Sequence, residues 1–144
     1  MTRLFLAFVL ATTLLVGCAS EPTPTPTPIP TPTPMSDEAM IRALIERYIA
    51  ATNRYDMEAV LDCFTPRVRA EYGWVIEDMI ETLQEAGFQF RLVNLEIKPY
   101  SPNRKYVTSL AEGVDANGRV LESPSSFFVE KIGSEWFIDW QPGR

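Results

Sequence analysis

The chain has 144 residues, with 13 Lys and Arg against 19 Asp and Glu, a formal charge of −6, no histidine and two cysteines. Acidity on this scale disfavours nucleic acid and anionic lipid head groups as partners. The lack of histidine removes the commonest neutral-pH acid–base group and the commonest transition-metal ligand, and nothing in the composition implies a metal or a cofactor.

Met1 to Arg3 gives a positive start, and Leu4 to Leu15 an apolar run broken only by Thr12 and Thr13. That core has signal-peptide length and falls short of the ~20 residues a spanning helix needs. It ends in Leu15-Val16-Gly17-Cys18, which resembles the lipobox of bacterial lipoproteins. The resemblance implies removal of residues 1–17, diacylglycerol on the Cys18 sulfur and often a further acyl chain such as palmitate on the new amino group. Two or three chains, at roughly 0.8 kcal/mol per buried methylene, anchor stably. The expected location is therefore the extracytoplasmic face of a cell membrane.

Residues 18–35 form the expected linker, in which Thr and Pro alternate from Pro22 to Pro34 with Ile29 the one apolar intruder. Every second residue lacks an N–H and has φ fixed, so neither helix nor ladder forms. Polyproline II at ~3.1 Å per residue makes this a semi-rigid spacer of roughly 40 Å. Residues 36–144 are enough for one domain with its own core. With Cys18 acylated, Cys63 stands alone and no disulfide framework exists.

Ser36 reads as an N-cap, with Asp37 and Glu38 in the first turn where negative charge suits the helix dipole. Ile41, Leu44, Ile45, Tyr48, Ile49 and Thr52 then recur at helical spacing, and the helix should end near Asn53. Asp56 caps a second, short helix with the stripe Met57, Val60, Leu61 and Phe64. Thr65-Pro66 starts a third, proline being suited to the first helical position. Val68, Tyr72, Val75, Ile76, Met79, Ile80 and Leu83 keep phase across Gly73, as one kinked helix or two short ones, until Gly87.

The period then changes to that of strands. Phe88, Phe90 and Leu92 share one parity, and Val93, Leu95 and Ile97 the other, which suggests a bulge or a strand covered on both faces. Pro102-Asn103 turns the chain into Lys105–Val114, and Asn117-Gly118 signals a two-residue hairpin. The stretch from Arg119 to Ile132 follows, its Pro124 and serines marking an irregular or edge segment. Gly133-Ser134 leads into Trp136–Trp140. The expected class is α+β: N-terminal helices packed on a curved four-stranded antiparallel sheet.

This order resembles the nuclear transport factor 2-like superfamily, also called cystatin-like, a cone of curved sheet around a long helix. Ile41–Phe64, with its Asn-Arg-Tyr-Asp connection, and the closing Gly133-Ser134-Glu135-Trp136-Phe137-Ile138-Asp139-Trp140 carry the likeness. Many members place a short strand after the second helix, where Val68–Tyr72 here stays helical. That departure resembles the branch of small secreted lipoproteins of unknown function more than the enzymes.

Enzymatic members, such as ketosteroid isomerase and polyketide-cyclase relatives, imply proton transfer inside the cone by an Asp or His with a Tyr or acid partner. A carboxylate base with a tyrosine donor needs no histidine. The candidates are Asp139, Glu96, Asp62 and Tyr48. By parity Asp139 opposes Trp136 and Trp140, and Asp62 falls off its helix stripe, so both should be solvated; Glu96 is ambiguous and Tyr48 faces the core. Asp56, Glu58 and Asp62 make a weak oxygen-ligand set better explained by capping. Cys63, beside an apolar stripe, reads as a buried, inert thiol.

The aromatics Tyr48, Tyr55, Tyr72, Trp74, Phe88, Phe90, Trp136 and Trp140 either line a cavity or fill the core, and the sequence leaves both open. Tyr48, Tyr72, Met79, Phe90, Trp136 and Trp140 are the candidate pocket-lining residues. The expectation is a lipid-anchored binding domain without catalysis, for a small molecule, an envelope component or a protein partner. The alternatives are an isomerase- or cyclase-type enzyme and a structural or assembly lipoprotein.

Overall fold

Local signals set the helix ends. The computed structural model describes residues 35–140; Cys18, the signal sequence and nearly all of the Thr-Pro linker lie outside them. Helix α1 (Asp37–Asn53) is capped by Ser36, whose hydroxyl accepts from Ala39 N at 3.2 Å. Helix α2 (Met57–Leu61) is capped by Asp56. Helix α3 (Pro66–Ala86) opens on the Thr65 hydroxyl with proline in its first turn, runs unbroken through Gly73 and stops at Gly87, where φ is +65°. No helix among the described residues is long and apolar enough to cross a membrane.

Strands β1 (Gln89–Ser101), β2 (Arg104–Val114), β3 (Val120–Ile132) and β4 (Glu135–Asp139) form one antiparallel sheet in sequence order. The parity switch in β1 is a bulge: Leu92 pairs with Ala111 and Asn94 with Leu110, so Val93 is the extra residue and stands exposed. The bulge returns Leu95 and Ile97 to the inward face that Phe90 and Leu92 occupy. The β2–β3 turn departs from the two-residue hairpin expected of Asn117-Gly118. Gly118 N–H donates to Asp115 O at 2.9 Å, Asp115 and Arg119 close the loop, and Gly118 takes φ +80°. Three residues thus turn the chain, with glycine in the left-handed position, because Asp115 Oδ1 accepts from both Asn117 N and Arg119 N and holds the wider loop.

The core lies where Ile41, Ile45, Ile76 and Ile80 meet Val107 and Val129. Between α2 and α3 there is a single bridge and no strand, with Val68–Tyr72 helical as its spacing predicts: Ile138 N donates to Cys63 O, and Thr65 N to Ile138 O. At its far end α3 touches the β2–β3 turn, where Ala116 N donates to Ala86 O at 3.3 Å.

The Asn-Arg-Tyr-Asp connection explains how α1 is fixed to the sheet. Asn53 offers its carboxamide to β1 as a neighbouring strand would, donating Nδ2–H to Phe90 O at 2.8 Å and accepting from Phe90 N at 2.7 Å. Tyr55 then takes a left-handed backbone, φ +54°, uncommon for a bulky side chain. Its hydroxyl donates to Phe88 O at 2.9 Å, which holds the turn against β1. Asn53→Ala should lose both bonds and about 1–3 kcal/mol of stability in urea unfolding. Asn53→Asp should cost at least as much, since it would set a carboxylate oxygen against the Phe90 carbonyl.

Candidate functional site

The inward face of the sheet is filled at one end and hollow at the other. Two adjoining cavities of about 350 and 270 Å³ lie between the helices and β3, sharing Tyr48, Met79, Ser125 and Phe127 in their walls. The first is closed by Val75 of α3 and Trp140 beyond β4, the second by Phe90 of β1 with Ser109 and Ala111 of β2. Tyr48 presents its ring edge to Phe64 with centroids 5.6 Å apart, and burial pushes its phenol up, so it remains a neutral hydroxyl at ordinary pH. Thr52, one turn on, donates its hydroxyl back to Tyr48 O.

Four of the six candidate lining residues, Tyr48, Met79, Phe90 and Trp140, therefore meet the cavities, and two do not. Tyr72 stands behind Trp140, ring edge to ring at 6.1 Å. Trp136 shares the strand face of Trp140 but points to the opposite end of α1, 3% exposed, its indole N–H donating to Asp37 Oδ1 at 3.2 Å. Lys131 completes that corner at 2.8 Å from the same oxygen, and these two partners hold the Asp37 carboxyl below its usual range. Trp74 is neither lining nor core. It is 71% exposed, one residue off the Val75–Ile76–Met79 stripe that faces inward.

Asp139 corrects the expectation of a solvated carboxylate. Parity does put it on the face opposite Trp136 and Ile138, yet it is 4% exposed. Arg67 Nη2 donates to it at 2.6 Å, Arg104 Nη2 at 2.5 Å, and the Thr65 hydroxyl at 3.5 Å. The outer face is covered here because the first turn of α3 and the start of β2 converge on the end of β4. Arg104 also lies over Phe128, 4.3 Å from the ring centroid. Asp139, Tyr100, Tyr106 and Arg104 line a separate hollow of about 240 Å³, on the side of the sheet away from the two cavities.

The other candidate acids stay outside as well. Glu96 is exposed, 3.3 Å from both the Thr108 hydroxyl and Lys98. Asp62 is exposed and paired with Arg69 at 3.0 Å, and Asp56 is spent on its cap. No group of three His, Cys, Asp or Glu is placed to hold a metal ion among the described residues. Cys63 is fully buried, its thiol donating to Ala59 O, and burial pushes its pKa up. Among the described residues, neither cavity is lined by Asp, Glu, Lys or Arg.

What sequence reasoning passed over is the sheet side of the cavities. Ser109 and Ala111 on β2, and Ser123, Ser125 and Phe127 on β3, are all inward positions. Pro124 and the serines suggested an irregular or edge stretch; β3 pairs regularly with β2 from Val120 to Glu130, and Pro124 lies on the edge that β4 does not reach. Alternation in β2 and β3 held the signal, since small residues recur at successive inward positions.

No protein-family model matches the chain, and no curated protein matches it. Solved structures do. A nuclear transport factor 2-like protein of unknown function from Shewanella oneidensis is similar at TM-score 0.61 and 18% identity, covering 72% of this chain and 94% of that one. A cystatin-like-fold protein of unknown function from Nostoc punctiforme follows at 0.58 and 14%, covering 71% and 85%. A proposed aromatic ring hydroxylase from Novosphingobium aromaticivorans is similar at 0.58 and 19%, covering 74% and 87%. At these identities the likeness establishes the fold, which is α+β and nuclear transport factor 2-like, or cystatin-like.

Two mutational tests follow from this geometry. Trp136→Ala should cost about 3–5 kcal/mol in thermal or urea unfolding, while Trp140→Ala, half-buried at the cavity wall, should cost clearly less. Asp139→Ala strands two arginines that still reach solvent, so a loss of about 2–4 kcal/mol is expected, exceeding that of Arg67→Ala alone.

Proposed function

We propose that this protein is an extracytoplasmic binding domain, anchored by acyl chains on Cys18, raised from the membrane by the Thr-Pro segment, and receiving a small molecule in its cone without transforming it. One observation carries the binding half of this reading. The cavities together are of the size that ligand pockets require, walled by apolar side chains with a few hydroxyls.

The same lining weighs against an isomerase- or cyclase-type enzyme. A general base has to come within hydrogen-bond reach, about 2.6–3.2 Å, of the proton it takes, directly or through one water. Here Glu96 and Asp62 are exposed and ion-paired, and Asp139 is held by two arginines on the far side of the sheet. Among the described residues, Tyr48 supplies a donor with no carboxylate beside it in the cavity wall.

The anchoring half rests on Leu15-Val16-Gly17-Cys18 and the apolar run before it. In a bacterial host, the mature N-terminus should be Cys18 bearing diacylglycerol, read by mass spectrometry, and the protein should fractionate with membranes. Cys18→Ala should leave it unprocessed or release it. An unmodified Cys18, or an alanine variant anchored as before, would defeat the anchoring.

A further inference from the structure

Resting on the reading of the cone as a binding site, we infer that its ligand is uncharged, of one or two fused rings, and oriented by a hydroxyl-bearing edge that the sheet offers at Ser109, Ser123 and Ser125. The hollow is built into the strand register. Ser109 pairs directly with Ser125, and Ala111 with Ser123, so four small side chains form a two-by-two block on the inward face. One step along the same face, Val107 pairs with Phe127, where the sheet is filled and Val107 is fully buried. Serine packs poorly at an inward strand position, and here Ser109 and Ser123 are half-buried and Ser125 exposed, so the block opens toward solvent. Larger apolar residues there would close the space.

The opposite wall carries Met79, the Tyr48 ring and Thr52, a mainly apolar surface with two neutral hydroxyls, that of Thr52 donated to Tyr48 O. A ring system therefore fits with its faces toward Tyr48, Met79 and Phe90 and a polar substituent toward the serines. Among the described residues no ionised side chain stands in either wall, so a charged group would lose part of its hydration there and gain no ion pair in return. That disfavours carboxylates, phosphates and ammonium compounds as occupants. It leaves phenols, ketones, alcohols and their ring-bearing relatives.

The test uses the full mature chain in lipid nanodiscs, with empty nanodiscs as the reference, titrated calorimetrically with three probes of matched shape: 2-naphthol, 2-naphthoate and 2-naphthylmethylammonium. The neutral probe should bind at least tenfold more tightly than either ion. Ser125→Leu, which fills the hollow, should abolish binding without lowering the melting temperature. Ser109→Ala/Ser125→Ala, which keeps the volume, should weaken 2-naphthol several-fold and leave 2-methylnaphthalene unaffected. If an ionic probe binds as tightly as 2-naphthol and Ser125→Leu removes it, the cone binds ligands but the inference about their class is wrong. The class is equally refuted if the alanine pair weakens both neutral probes alike. If no probe binds, the inference and the binding reading fall together.

Discussion

Asp139 ends the last strand with its carboxylate on the side of the sheet away from the cavities, and two guanidiniums close over it. With only 5% of its side chain exposed, that charge would be costly alone; Arg67, Arg104 and the Thr65 hydroxyl supply the bonds that make its burial tolerable. The partners come from the start of α3 and the start of β2, so one carboxylate holds three elements at a point. Its neighbour Ile138 exchanges backbone bonds with Cys63 and Thr65 in the same place. The other end of α3 rests on the β2–β3 turn, where the left-handed Gly87 admits Ala116 to a position a Cβ would meet at 3.0 Å. With both ends of the helix fixed, its middle can run over a hollow. Val75 and Met79 face that hollow while Ile76 and Ile80 reach the core.

The cavity rim depends on a strand that is only half paired. β4 is five residues long and covers β3 from Phe128 to Ile132, leaving the segment from Val120 to Phe127 without a neighbour on that side among the described residues. Ile138 turns its N–H and C=O toward Cys63 and Thr65, so Phe137 and Asp139 bond to Glu130 and Phe128. By the same alternation Pro124 directs its backbone to the free edge. Its missing N–H costs no ladder bond there, and its ring discourages another strand from adding on. Pro124 and Ser125 border the first cavity, so the edge that proline protects from pairing is also a wall of that cavity.

Small and hydroxyl-bearing residues in the wall trade stability for space. A domain that filled the positions of Ser109, Ala111, Ser123 and Ser125 with branched apolar residues would gain buried area and lose the hollow. The compensation lies elsewhere, in polar contacts that join distant segments: the Asn53 carboxamide on β1, the Asp37–Lys131–Trp136 corner and the Asp139 clamp.

The sequence by itself determined most of what depends on neighbours a few residues apart, the width of the β2–β3 turn excepted. Ser36, Asp56, Thr65-Pro66 and Gly87 mark helix ends because a cap bonds within its own turn, and the parity switch at Val93 marks the bulge because a strand alternates strictly. The class and strand order followed from those elements. Tertiary structure decided the rest. Asp139 has the parity of a solvated residue, and only Arg67 and Arg104, 72 and 35 positions away, bury it. Trp136 and Trp140 share the parity of one face, yet one meets the first turn of α1 and the other, just past β4, a cavity. Inward parity is the same for a residue that fills a core and one that lines a hollow; the difference is set by what stands across the gap, and that is fixed only when distant segments meet.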